Sequence, residues 1–271
     1  MPVGSVLVTG SSGTVGTALC ERLIEEGYDV TGTDIKPNRW SDAVDERTVI
    51  TDLTDESAVD DLPESIDLVI HLAANARVHK LVQNPELAQD NFDTTFTVLE
   101  YARKIGADFI FSSSREVYGN NGKIIYDETD TYVDECESPY TASKIGGEAL
   151  VKSYDVCYDI DTSIVRFSNV YGKYDASNRV IPLFIAQASQ GEDLTVYGDD
   201  KVLDFTYIDD VVAANRTLLD TDAADGETMN VGSSDTIEIR TLAEEVRDQL
   251  APDLALEFAE RHDADADHTH A

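Results

Sequence analysis

Positive charge is scarce in this chain. Only 20 lysines and arginines, eight of them lysine, face 54 aspartates and glutamates, and the formal net charge is −34. Such a field repels nucleic acid and anionic membranes, so neither is an expected partner. Cysteine is sparse too: Cys20, Cys136 and Cys157 are odd in number and form no CxxC, which excludes a disulfide framework and a zinc site of that type. They are read as reduced and structural. No run approaches the ~20 apolar residues of a membrane span, and no basic segment leads into an apolar one at the N-terminus. The expected location is cytoplasmic. The seven prolines form no linker, and no internal repeat is present.

Hydrophobic residues are not lacking: they make up 42% of the 271 positions, too many for a disordered chain. The chain therefore reads as a folded protein with an acidic coat. Its acids are spread along the sequence rather than gathered in one block, and with so few lysines this is the pattern of proteins from salt-accumulating halophiles. The last stretch, with His262, His268 and His270 among aspartates, has no apolar period and is expected to be disordered.

The most informative stretch is at the start. Ser5 to Val8 is a short aliphatic run, Gly10, Gly13 and Gly16 follow at intervals of three, and Val15, Leu19 and Leu23 continue at helical spacing. This reads as strand, glycine turn and helix. Glycines in such a turn permit a tight exit from the strand, close approach of a pyrophosphate to the backbone, and close packing of helix on strand. A second strand from Tyr28 to Thr33 ends on Asp34, 18 residues after Gly16, where a carboxylate can accept the hydroxyls of an adenosine ribose. An acid there repels a 2′-phosphate, so the sequence favours NAD over NADP.

Apolar runs and helical patterns then alternate. Val49-Ile50, Asp67 to Leu72, Asp108 to Ser113 and Thr162 to Phe167 read as strands; Glu56 to Leu62, Glu86 to Lys104 and Pro139 to Tyr158 read as helices. Alternation of this kind argues for a parallel sheet covered on both faces. Ligands of such sheets bind beyond the strands' carboxyl ends. Those positions hold Asp52-Leu53, equally a site for the adenine amino group or a plain helix cap; the small residues of His71-Leu-Ala-Ala74, with His71 itself read as packed; and Ser112-Ser-Ser114. Tyr140 and Lys144 lie four apart on one helix face. A cation beside the phenol would lower its pKa and make Tyr140 a usable general base.

With these residues in view the chain resembles the extended short-chain dehydrogenase/reductase family of NAD-dependent sugar epimerases and dehydratases, from Val3 to about Val231. The resemblance rests on Thr9 to Gly16, Asp34, Asp52-Leu53, His71 to Ala74, Asn91, Ser112 to Ser114, Val117-Tyr-Gly119, Tyr140 to Lys144, Arg166 to Gly172 and Asp204 to Asp210. It implies an α/β fold, a Rossmann-type doubly wound parallel sheet with a small C-terminal substrate-binding lobe. The implied division is residues 1–172 for NAD, 173–258 for the lobe and 259–271 for a disordered acidic tail. It implies Ser114, Tyr140 and Lys144 as catalytic residues. Gly10, Gly13, Gly16, Asp34, Asp52, Leu53, Ala73, Asn91, Tyr140 and Lys144 would meet NAD. Ser114, Glu116, Asn169, Arg179 and Lys201 would meet a nucleotide-sugar substrate. No metal is implied, and relatives of this kind commonly pair as homodimers through the helices at Glu86 to Lys104 and Pro139 to Tyr158.

Two departures bear on substrate. Many members place an arginine on the substrate phosphate where this chain has Leu203, so Lys201 or Arg179 would have to supply the charge; and little chain follows the helix at Arg240 to Leu250. A 4-epimerase acting on a UDP-hexose through a transient 4-keto sugar is the favoured reading. Beside it stand a sugar or uronate dehydrogenase that releases NADH, and a 4,6-dehydratase, for which Arg115 stands where an Asp-Glu pair would need its acid. A catalytically idle NAD-binding regulator would require a loss among Ser114, Tyr140 and Lys144, and none is lost.

Overall fold

A computed structural model describes residues 4–259, apart from 120–122, 124, 132, 159, 200, 222 and 223. Its centre is a seven-stranded, wholly parallel sheet. The strands are β1 (Ser5–Thr9), β2 (Asp29–Asp34), β3 (Thr48–Ile50), β4 (Leu68–His71), β5 (Asp108–Ser114), β6 (Thr162–Phe167) and, after three that lie elsewhere, β10 (Thr228–Val231). They lie in the order β10-β6-β5-β4-β1-β2-β3. The order reverses between β1 and β4, and in such sheets that switch point opens a crevice at the strands' carboxyl ends.

The period of two along each strand divides its side chains between the two faces. Val6, Val8, Leu68, Ile70 and Ile110 face a core that includes Leu19 and Leu23 of α1 (Thr14–Glu25) and Ile208, Val211 and Val212 of α7 (Ile208–Leu218). Leu7, Val69, Phe109 and Phe111 face the opposite core, with Val98 and Leu99 of α4 (Glu86–Ile105) and Val151 and Tyr154 of α5 (Pro139–Tyr158). Burial on both faces explains why these strands read as near-continuous apolar runs. The segment read as a helix from Glu56 is a 3-10 turn, Glu56–Asp61, capped by Asp55, whose carboxylate accepts from Ser57 N at 2.9 Å.

The remaining elements flank the site. Two short helices, α2 (Asp42–Asp45) and α3 (Val78–Gln83), follow β2 and β4. A three-stranded sheet joins β7 (Asn169–Tyr171), β9 (Val202–Tyr207) and β11 (Thr236–Glu238), and β8 (Leu194–Tyr197) pairs with β12 (Leu256–Ala259). A third core, with Phe184, Leu194, Val196, Ile239 and Ala243, lies under α6 (Val180–Gln190) and α8 (Ile239–Leu250). The chain does not part cleanly at 172/173: β7 already pairs with β9, while α7 and β10, read as lobe, return to the main sheet. Ala259, placed in the tail by the sequence, closes β12 beside Tyr197; residues 260–271 lie outside the described residues.

Candidate active site

The glycine turn is dictated by space. Gly10 adopts φ +71°, and a Cβ there would stand 2.9 Å from Ala73 N; a Cβ on Gly16 would stand 2.1 Å from Gly10 O. Neither position tolerates a side chain. Gly13 caps α1 with no side-chain hydrogen bond, so N–H groups of the first helical turn stay open towards the crevice. Asp34, 9% exposed, holds the turn beside them: its Oδ2 accepts from Ser12 N at 3.0 Å and its Oδ1 from Lys36 N at 3.2 Å. Burial pushes this carboxyl above its ordinary value, and the two N–H groups oppose the shift. Each oxygen keeps a lone pair for a further donor. A turn closed to side chains, an open helix start and a carboxylate at the end of β2 fit a dinucleotide's diphosphate and ribose.

Two cavities meet at this turn. The larger, about 650 Å³, is lined by Gly10, Gly13, Gly16, Ser114, Glu116, Tyr140, Lys144, Asn169, Arg179, Lys201 and Leu203 among others. The smaller, about 410 Å³, is lined by Gly13, Lys36, Arg39, Trp40, Arg77, Tyr174, Asp175 and Arg179 among others. The fold thus brings Ser114, Tyr140, Lys144 and every residue read as substrate-facing to one space, though they lie up to 87 positions apart between Ser114 and Lys201.

Tyr140 and Lys144 stand on the first turns of α5, buried against the end of β5. Tyr140 shares the cavity with Ser114, whose Oγ accepts from Glu116 N at 3.2 Å. Lys144 Nζ donates to Ser112 O at 2.8 Å and lies 4.9 Å from the centre of the Phe111 ring and 6.0 Å from that of Tyr140. The expectation that Lys144 lowers the Tyr140 pKa is corrected here: burial pushes the phenol up to about 12, and the opposing influences are Ser114 and Arg179. The lysine yields instead. Burial pulls Lys144 down to about 8, with the Glu148 carboxylate opposing the drop. Glu116 is also held above its ordinary value by burial, against the pull of Arg115 and Lys201.

Other sequence-singled residues serve the site from behind it. Asn91, 4% exposed, spends its amide on Asn75 N at 2.6 Å, Asn75 O at 3.1 Å and Ser143 Oγ at 3.1 Å, and Ser143 donates to Tyr140 O at 2.7 Å. It positions the loop after β4 against α5 and lines neither cavity. Ala73 supplies the backbone that meets Gly10, its N–H donating to Thr9 Oγ1 at 3.1 Å. Asp52 turns back on its own chain, accepting from Thr54 N at 3.0 Å, and Leu53 packs in the α4–α5 core; neither lines these cavities. The helix cap considered for Asp52 falls to Asp55 instead, whose carboxylate accepts from Ser57 N at the start of the 3-10 turn. His71 is packed as read: 1% exposed, bonded to Thr9 Oγ1 at 2.8 Å and Thr95 Oγ1 at 3.2 Å, and pulled by burial down to about 3.

Asn169 donates to Asp204 O at 2.8 Å, and Arg179 to Val170 O at 3.3 Å, so both are steadied by the β7–β9 layer at the cavity wall. Sequence reading missed Arg77, which lines both cavities, and Glu148, which with Arg166 forms a buried ion pair behind Lys144. Glu148 had a signal: it is four and eight positions from Lys144 and Tyr140 on one helix face. Arg77 had none, because a charged residue in a loop is ordinarily a solvated one.

Comparisons with known proteins agree with this geometry. The family described as "NAD dependent epimerase/dehydratase family" matches residues 6–232. A UDP-N-acetyl-alpha-D-glucosaminuronate decarboxylase of Bacillus cytotoxicus is 33% identical over 253 residues, covering 89% of this chain and 78% of its own. Among solved structures, the epimerase Mth375 of Methanothermobacter thermautotrophicus superposes with a TM-score of 0.89 at 29% identity, over 98% of this chain and 83% of that one. The UDP-glucose 4-epimerase of Thermotoga maritima, solved with UDP-glucose, gives 0.85 at 28% identity, over 95% and 86%.

Proposed function

The chain belongs to the NAD-dependent epimerase/dehydratase family, and on that premise we propose that it interconverts nucleotide sugars as a 4-epimerase, with a UDP-hexose as substrate. The observation that carries the reading is the convergence of Ser114, Tyr140 and Lys144 on one cavity beside the glycine turn. NAD, when bound, accepts a hydride from a sugar carbon and can return it. In this reading Tyr140 takes the proton of the sugar hydroxyl and gives it back, and Ser114, in the same cavity, steadies the oxygen on which charge develops. Lys144, charged below about pH 8, supplies positive charge next to Tyr140. Gly10, Gly13, Gly16 and Asp34 hold the dinucleotide, and Glu116, Asn169, Arg179 and Lys201 meet the substrate.

Epimerisation and net oxidation use the same residues and differ in whether the hydride returns. UDP-glucose is expected to yield its 4-epimer without added NAD and without net NADH absorbance, as followed by NMR. Stoichiometric NADH from a free hexose or uronic acid, with no epimer from any nucleotide sugar, would give the dehydrogenase reading instead.

The same proposal includes a salt-adapted, cytoplasmic homodimer. Its support is the formal charge of −34, the free thiols of Cys20, Cys136 and Cys157, and the apolar side chains left exposed on the paired helices: Phe92 and Phe96 on α4, Val156 and Tyr158 on α5. Screening lengths shorten from about 30 Å at 0.01 M salt to about 3 Å at 1 M, which relieves self-repulsion in a compact acidic body. The melting temperature is therefore expected to rise with KCl well beyond physiological strength, and light scattering on the same samples to report twice the chain mass. A flat thermal response up to molar salt refutes the salt adaptation, and a monomer mass refutes the dimer.

A further inference from the structure

Cations in this chain have partners in excess. Arg22, Arg103, Arg166, Arg216, Arg240 and Arg247 all stand in ion pairs. Yet Lys36, Arg39, Arg77, Lys80 and Arg179 stand in none among the described residues, and all five line the smaller cavity, where Asp175 is the one acid. Five of the chain's 20 basic side chains thus share one rim, in a protein whose net charge is −34. Like charges held together raise the free energy of the empty rim, and an anion seated among them lowers it.

The rim has a direction. Arg77 and Arg179 line both cavities, as do Gly13 and Thr14 at the start of α1, so the two guanidinium groups and the open helix turn border the same seam. Arg179 is set there by its bond to Val170 O at 3.3 Å. Burial and the charge of Arg179 hold Arg77 below its ordinary pKa, which places the two guanidinium groups within electrostatic reach of each other. Asp175, which lines both cavities and acts on Arg77, has a buried Oδ2 with no hydrogen-bond partner. Trp40 and Tyr174, their ring centres 5.9 Å apart, wall the outer end. A guanidinium pair that shares a cavity with a helix start suits a diphosphate, which offers oxygens to several donors.

We propose that Lys36, Arg39, Arg77, Lys80 and Arg179 form a diphosphate-capturing collar, with Arg77 and Arg179 as its gripping pair. The collar offsets the repulsion that a protein of this net charge exerts on anionic ligands, and it replaces the phosphate charge absent at Leu203. Two diphosphates are available, that of the dinucleotide and that of the sugar nucleotide. The second depends on the substrate reading above, and the first does not.

The test is calorimetric titration of the full chain with NAD, with UDP and with adenosine, with the fluorescence of Trp40, the chain's single tryptophan, as a second readout for NAD. Arg77→Gln and Arg179→Gln are each expected to weaken NAD or UDP by about tenfold or more, the loss of one charged hydrogen bond, while adenosine binds as before. Lys104→Gln, outside both cavities, should change nothing, and Arg77→Lys should keep most of the affinity. A loss confined to NAD assigns the collar to the cofactor's diphosphate, and one confined to UDP assigns it to the substrate's. Raising KCl should weaken NAD binding to the parent, because local attraction is screened, and Lys36→Gln with Arg39→Gln should flatten that slope. Unchanged affinities for both diphosphates, an equal loss for adenosine, or NAD binding that tightens with salt would overturn the collar. Binding is read without turnover, so a failed epimerase assay leaves the result standing.

Discussion

Replacing Tyr140 by phenylalanine is expected to cut turnover by about 10²–10⁴-fold, the usual contribution of a positioned general base, while NAD binds nearly as before. Tyr140 is 7% exposed, so the substitution removes one hydroxyl from a packed site and leaves the ring's contacts in place. In the proposed site cofactor affinity is assigned to other groups, the glycine turn, Asp34 and Lys144. Single-turnover rates beside an NAD titration separate the two effects. A variant that keeps most of its turnover would remove Tyr140 from the role of base. The pH dependence has a definite sign. Burial holds the phenol protonated up to about pH 12 in the ligand-free site, so proton removal should quicken as pH rises. Lys144 loses its charge through about pH 8, so the parent's kcat/KM should stop rising and fall beyond that point.

Breaking the buried ion pair behind this site should cost comparably in stability. Arg166, 4% exposed, grips Glu148 with two bonds, Nε to Oε1 at 2.8 Å and Nη2 to Oε2 at 2.6 Å, and donates from Nη1 to Tyr118 Oη at 2.9 Å and Glu128 O at 2.8 Å. Ser113 Oγ donates to the same carboxylate at 2.5 Å, and Tyr118 to Asn230 Oδ1 at 2.5 Å, so β5, α5, β6 and β10 meet in one network. Glu148→Gln strands the guanidinium in the interior, for which roughly 3–5 kcal/mol is the usual cost; Glu148→Leu with Arg166→Met should recover most of it. Urea unfolding reads both. The pair also reaches the site through Lys144, whose pKa Glu148 supports, so in Glu148→Gln the alkaline limb of kcat/KM should move to lower pH. A limb that stays in place would leave the pair a purely structural role.

The sequence by itself determined the parallel sheet, the glycine turn and which side chains we propose to react, because each leaves a short-range signature. Strands buried on both faces become apolar runs, a Cβ at Gly10 or Gly16 meets backbone within 2.9 Å, and Tyr140 and Lys144 share a helix face at a spacing of four. It placed His71 in the interior for the same reason. What only the tertiary structure decided depends on groups far apart in the chain. Whether Lys144 or burial governs Tyr140 is set by Phe111, Ser112 and Ser114 at the end of another strand, and there burial prevails. Asn91 and Leu53, legible as motif residues, turn out to brace and to pack, since a motif records which residue is present and not which way it faces. β7, β11 and β12 escaped notice because strands of three or four residues carry no period of their own and exist only by pairing with partners such as Phe205, Leu203 and Val196. The gathering of Lys36, Arg39, Arg77, Lys80 and Arg179 is of the same kind: along the sequence they are five surface charges, and a shared rim appears only when the loops after β2, β4 and β7 are folded against one another.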